Sequence, residues 1–360
     1  VGLGSGVTVG SVLSHPVNNV HCAEIAQEVI EAAGLFSKEN NNCINDKRLH
    51  MHIEDAHTYL QLSPQKYDVI ISEPSNPWIA GIGNLFSKEY FELCKSKLAD
   101  DGIMVQWFHV YEMNDDICRL VMNTFASVYP HTQLWNAADG DIIMVGSKNE
   151  IKFDEDKFKS KIADKEVIKN LKQVKIDNAF TFLSTQMLVG ESFYAVSKFD
   201  EINSERHPLL EFRAPRSLFA GKSSRMAFEQ DDRFMPYKSG LYVEKYLQKE
   251  SPDSTQLNNA IEFHYNNSRI NRLVYSLSNY ALGKNPGNYT AMRYKLYSAE
   301  DLPAFKIRGR FINEFTKGYR ESPMWKSISL IDEIKEKIQE ISFVSKADFE
   351  SISDEITAVI

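Results

Sequence analysis

Through its first 146 residues the sequence alternates short apolar or β-branched runs with amphipathic segments, and this alternation constrains the fold more than any other feature. Asn19–Ile25, Arg48–Asp55, Tyr67–Ser72, Ile103–Val110, Thr132–Ala137 and Asp141–Ser147 read as strands. Between them, the helix through "AQEVIEAAG" ends at Gly34, "AHTYLQL" has helical character, and 85–102 carries Leu85, Tyr90, Phe91, Cys94 and Leu98 at helical spacing with Gly102 as a stop. A further helix over 114–129 is capped by Asn114. With a presumed strand end at Val1, these repeated βα units predict a doubly wound, mostly parallel sheet of seven strands. Ligands of such sheets bind beyond the carboxyl ends of the strands.

The chain has 360 residues and a net charge of −8, with 43% hydrophobic and 25% charged residues. That composition is globular, and the acidic balance argues against a nucleic-acid partner. Its four cysteines form no CxxC pair and read as reduced thiols, which with the lack of a signal peptide or apolar span places the expected compartment in the cytoplasm. The histidines show no metal-ligand spacing, so no metal is expected. The opening Val1-Gly2-Leu3-Gly4 lacks Met and reads as a fragment with its first strand truncated, preceded by a soluble or membrane-bound region. After Asn149 the chain turns polar. We expect a domain over 1–148, an extension over 149–219 that completes it, and a mainly helical region over 220–360. Within the extension, 178–190 reads as an amphipathic helix and 203–219 as a loop with an apolar centre. In the last region, 273–299 resembles one tetratricopeptide-like helix pair, a surface suited to a protein partner.

Gly2, Gly4 and Gly6 follow the presumed strand end and open a helix, where glycine lets the backbone turn sharply and approach a ligand. Glu24 closes the next strand, where a carboxylate accepts hydrogen bonds from ribose hydroxyls. Asp55 closes the third, at a position that suits the amino edge of an adenine. Either acid alone also suits a helix N-cap. Together with the glycine loop they form a nucleoside pocket, which a dinucleotide would equally use. The apolar run Val69-Ile70-Ile71 then ends in Ser72-Glu73-Pro74-Ser75-Asn76-Pro77-Trp78, which sets Glu73 on a loop beside the same crevice.

"YDVIISEPSNPWIAGIGNLFSKEYFELCKSKLADDGIMVQW", with "GLGSGVT", "AEI", "DKRLHMHIEDA" and "NSERHPLLEF" in the same order, resembles the polyamine aminopropyltransferases of the spermidine synthase family. The likeness covers about residues 1–215 and is closest to divergent bacterial members with the EPSNPW motif. It implies a Rossmann-like fold shared with class I methyltransferases. It also implies decarboxylated S-adenosylmethionine as co-substrate and a diamine such as putrescine as acceptor, with spermidine and methylthioadenosine as products. By position, Gly2, Gly4, Ser5, Gly6, Glu24, Asp55 and Ala56 then hold the donor, with Glu24 on the ribose and Asp55 on the adenine. Glu73 stands for the catalytic aspartate, while Asn76 and Trp78 border the amine; a homodimer is a further expectation. Glu at position 73 keeps the charge but reaches about 1.5 Å further.

Ser5 stands where the family carries an acid that contacts the donor's amine, and Asn76 is neutral where the family is charged. These departures keep a methyltransferase using intact S-adenosylmethionine as a second reading. A non-catalytic nucleoside-binding scaffold is the third.

Overall fold

The computed structural model describes residues 1–298 apart from 139, 222, 225–240 and 269–270. Two compact units emerge: among the described residues, 1–179, 185–224 and 241–242 form the first, and 180–184 with 243–298 the second.

In the first unit, α1 (Val7–Leu13) leads to β1 (Val20–Glu24), α2 (Gln27–Ala33), β2 (Leu49–Ile53), α3 (Ala56–Leu62) and β3 (Tyr67–Ser72). Then come α4 (Lys88–Lys97), β4 (Leu98–His109), α5 (Asp115–Val128), β5 (His131–Ala138) and β6 (Asp141–Ser147). Helices α6 (Glu155–Ile162) and α7 (Lys165–Gln173) follow, with β7 (Gln186–Val189), α9 (Glu191–Ser197) and α10 (Leu209–Ala220) beyond them; α8 (Ala179–Leu183), between α7 and β7, belongs to the second unit from residue 180 on.

The strands form two sheets, β1-β2 and β3-β4-β6-β5-β7, rather than one mostly parallel seven-stranded sheet. Among the described residues only β1·β2 and β3·β4 pair in parallel; β4·β6, β6·β5 and β5·β7 are antiparallel. Two physical causes account for the difference. Strands β5 and β6 join through a tight turn with Gly140 at φ 86°, so the chain returns antiparallel without a crossover helix. Between β1 and β3 lie only Val1 and Gly2. Gly2 N donates to Ala23 O at 3.0 Å, Val1 N donates to Ile71 O at 2.7 Å, and Glu73 N donates to Val1 O at 3.1 Å. These bonds run parallel to both neighbours but are too few for a strand.

Three further expectations change. Helix α4 stops at Lys97, and β4 starts before Gly102 rather than after it. Residues 178–190 split into α8 and β7, because β7 pairs with β5 from Gln133↔Val189 to Trp135↔Gln186. Residues 209–220 are a helix rather than a loop, and α10 tolerates Pro215 because Leu210 and Ala214 on its inner face are fully buried.

The core sits between β4 and helices α4 and α5. Tyr90, Phe91, Met104, Phe108, Leu120, Phe125 and Tyr129 are fully buried, each apolar side chain contributing about 2 kcal/mol. The glycine loop has its own support. The fully buried Asn40 donates from Nδ2 to Ser5 O at 2.9 Å and to Ala33 O at 2.8 Å. Helix α1 lies so close to this segment that a Cβ on Gly10 would stand 2.1 Å from Asn40 O.

In the second unit, Asn271–Lys284 and Tyr289–Tyr297 form a helix–turn–helix, with Asn288 Oδ1 accepting from Ala291 N at 3.0 Å. This helix pair lies where the tetratricopeptide-like unit was expected. Of the expected helical region, 225–240 and 299–360 lie outside the described residues. Among the described residues no helix is long and apolar enough to cross a membrane.

Candidate active site

Parallel strands present their carboxyl ends on one side, and Glu24, Asp55 and Glu73 follow from three such ends. The segment Val1–Thr8 links the first and the last. Leu3 N donates to Glu24 Oε2 at 2.9 Å, and Ala26 N donates to Oε1 at 3.0 Å. The carboxylate is thus held from both sides and only 8% exposed. On the other flank, Glu73 N is bound to Val1 O, and Thr8 Oγ1 donates to Glu73 Oε2 at 2.6 Å. Gly2, at φ 78°, passes so close that a Cβ there would meet Glu73 O at 2.8 Å, so position 2 requires glycine. Gly4, at φ 52°, is exposed and faces open space, and Gly6 at φ 79° caps α1.

Asp55 fills the N-cap position of α3. Its Oδ1 accepts from Thr58 N at 2.9 Å and from Thr58 Oγ1 at 3.0 Å. Ala56 is the buried first residue of that helix. Glu54 N donates to Glu24 O at 3.2 Å, tying the β2 end to the β1 end. Ser5 presents its carbonyl to Asn40 and carries no acidic group into the loop.

The loop after β3 turns towards the end of β4. Trp78 meets His109 edge-on at 4.6 Å between ring centroids and Tyr111 at 6.3 Å, while His109 and Tyr111 stack at 4.3 Å. Burial pushes the Tyr111 phenol up, the Asp141 charge adds to this, and a hydrogen bond with Asn76 opposes it. Asn76 and Trp78 therefore share one cluster with two residues that sequence reasoning did not select. Nothing in the sequence marks them, because 33 residues separate Trp78 from Tyr111. Opposite this loop, Glu211 Oε1 accepts from Gly81 N at 2.8 Å. Asn203 Nδ2 donates to Gly83 O and Phe86 O, both at 3.1 Å, and its Oδ1 accepts from Leu210 N at 3.0 Å.

A cavity of about 1180 Å³ runs between β1 and β3, bordered by Gly2, Thr8, His21, Tyr67, Ile71 and Glu73. Of the expected site residues it touches Gly2 and Glu73; Gly4, Glu24 and Asp55 lie outside it. Glu24, Asp55 and Glu73 are grouped by the row of strand ends from which they follow. His21 stacks on His50 at 4.8 Å and on His52 at 5.3 Å, where His50 and His52 read from sequence as surface polar residues. Among the described residues no group of three His, Cys, Asp or Glu is arranged to hold a metal. All four cysteines are free and buried.

His109 offers a pH-dependence test. Its Nδ1 donates to Tyr111 O at 3.0 Å, so Nε2 carries the lone pair, and Nε2 is buried without a partner. Burial lowers its pKa from 6.5 to about 4, against the opposing bond to Tyr111. A histidine depressed in the folded state stabilises fully above the unfolded value and loses that contribution as pH falls. Between pH 6.5 and 4 the fold should therefore lose on the order of 3 kcal/mol through this group. Urea denaturation of the wild type and His109→Phe at pH 7 and pH 4.5 should show a shallower pH dependence in the variant. Equal slopes would refute the assignment. His21 and His52 are lowered in the same direction, chiefly by burial, and contribute equally to both proteins.

Residues 1–138 match the family described as the spermine/spermidine synthase domain. The polyamine aminopropyltransferase of Caldicellulosiruptor saccharolyticus is 29% identical over 136 residues, 38% of this chain and 49% of that protein. That of Methanocaldococcus jannaschii is 31% identical over 138 residues, 37% and 47% of the two chains. The chain thus spans about half the length of these relatives. Among solved structures, a spermidine synthase from Thermotoga maritima aligns with TM-score 0.35 and 24% identity over 44% of this chain and 55% of its own. Human methyltransferase-like protein 13 in complex with SAH aligns with TM-score 0.38 and 17% identity over 48% and 79%. The matched segment, residues 1–138, is the one that carries the glycine loop, Glu24, Asp55 and Glu73, and it is similar to the spermine/spermidine synthase domain.

Proposed function

We propose that the protein is a polyamine aminopropyltransferase, moving an aminopropyl group from decarboxylated S-adenosylmethionine to a diamine such as putrescine. The observation that carries this reading is the placement of Glu73. Its exposed carboxylate stands at a strand end, fixed to the glycine loop on one side and continuous with the Asn76–Trp78 loop on the other.

The donor residues fit a sulfonium nucleoside. Each Glu24 oxygen is engaged by one backbone N–H and keeps lone-pair capacity for a ribose hydroxyl. Gly4 has open space beside it. Asp55 serves the donor pocket by fixing the start of α3, and the adenine edge would then meet that helix start. Both reactants are cations, and the carboxylate of Glu73 offsets their repulsion. The attacking nitrogen must be neutral, because an ammonium has no lone pair. A carboxylate is too weak a base to deprotonate bulk amine, so Glu73 orients the amine and accepts its proton as the new C–N bond forms. The carbon–sulfur bond breaks in the same step, its electron pair going to sulfur, and methylthioadenosine leaves.

Ser5 favours methyl transfer from intact S-adenosylmethionine as the second reading. Without an acid there, the loop neither grips the donor's amine by charge nor repels an added carboxylate. The test supplies each donor with putrescine and reads products by mass spectrometry. Spermidine with methylthioadenosine supports the proposal; methylated amine overturns it in favour of the second reading.

A further inference from the structure

We propose that Thr8 is a positioning residue for Glu73, fixing which carboxylate oxygen meets the acceptor nitrogen. This inference rests on the catalytic role given to Glu73 above. Three separate parts of the glycine segment hold Glu73: Val1 O accepts from its N–H, the bare Cα of Gly2 lies against its carbonyl, and Thr8 Oγ1 donates to Oε2 at 2.6 Å. The first two fix the backbone. Only the third reaches the carboxylate, across 65 residues of sequence.

A glutamate needs such a restraint more than an aspartate does. Its extra methylene adds a rotor, and an unfixed carboxylate spreads over several positions about 1–2 Å apart. The Thr8 hydroxyl occupies Oε2, and among the described residues Oε1 has no partner. Oε1 is therefore the oxygen directed to the amine. Threonine suits the task because its β-branch restricts χ1 within a helix. Thr8 lies in the first turn of α1, so the loop that holds the donor also sets the base.

The experiment compares Thr8→Val and Thr8→Ser, each alone and with Glu73→Gln. In Thr8→Val, kcat should fall about tenfold while donor KM stays within about twofold. Thr8→Ser should recover most of the loss. In the Glu73→Gln background Thr8→Val should cost no more than about twofold, because the restrained group is gone. A tenfold loss in both backgrounds, or none in the wild type, overturns the proposal. A second measurement needs no turnover and so separates this inference from the assigned reaction. The ¹³Cδ resonance of Glu73, assigned by its loss in Glu73→Gln, should shift in Thr8→Val and return in Thr8→Ser. An unchanged resonance in Thr8→Val overturns the proposal whatever the reaction is.

Discussion

Replacing Glu73 with Gln should lower the rate of group transfer by about three orders of magnitude and leave donor affinity within about threefold. The substitution keeps the length and the hydrogen bond from Thr8, whose partner becomes the amide oxygen. It removes the charge that offsets two cations and the base that takes the amine's proton. Because the side chain is exposed, the fold loses little. Single-turnover kinetics with saturating donor would give the rate, and calorimetry with methylthioadenosine the affinity. A variant that retains more than a tenth of wild-type turnover would remove Glu73 from the chemistry.

Glu24→Ala should abolish detectable nucleoside binding and also weaken the fold. Two backbone donors, Leu3 N and Ala26 N, lose a buried charged acceptor. Charge-assisted bonds of this kind contribute about 1.5–3 kcal/mol each, so folding stability should drop by about 3–6 kcal/mol. The nucleoside would lose its ribose partner as well as the loop shape, an affinity loss of at least about a hundredfold. Glu24→Gln sharpens the result: one oxygen still accepts, whereas the new NH₂ faces another N–H. It should fold better than Glu24→Ala yet bind as poorly. Normal methylthioadenosine binding by a folded Glu24→Ala protein would show that the acid serves only to hold the loop.

The elements that were legible are those whose signal is local. Val69-Ile70-Ile71 followed by two prolines marks a strand and its end, though Val69 is exposed and the strand is not buried throughout, and Gly2, Gly4 and Gly6 mark a turn that needs positive φ. Strand β7 was not legible, because Gln186–Val189 follows a helix without a turn residue and becomes a strand only through its pairing with β5. Residues 203–219 read as a loop, yet α10 forms and runs through Pro215 because its buried face outweighs one missing hydrogen bond. The same distinction holds at the site. Glu24 and Glu73 follow from their places at strand ends. Thr8 and the stack of His109 on Tyr111 depend on contacts across the chain that no periodicity encodes.

Every polar atom of Asn203 is hydrogen-bonded. Besides the side-chain bonds already given, its N–H donates to Thr124 Oγ1 at 2.9 Å and its carbonyl accepts from Lys88 N at 2.9 Å. One amide thereby welds the starts of α4 and α10, the middle of α5 and the turn at 83–86 into a single block. Such a block resists reshaping, so under the proposed function a search for tolerance of longer or shorter acceptors should begin with substitutions in the loop 74–80.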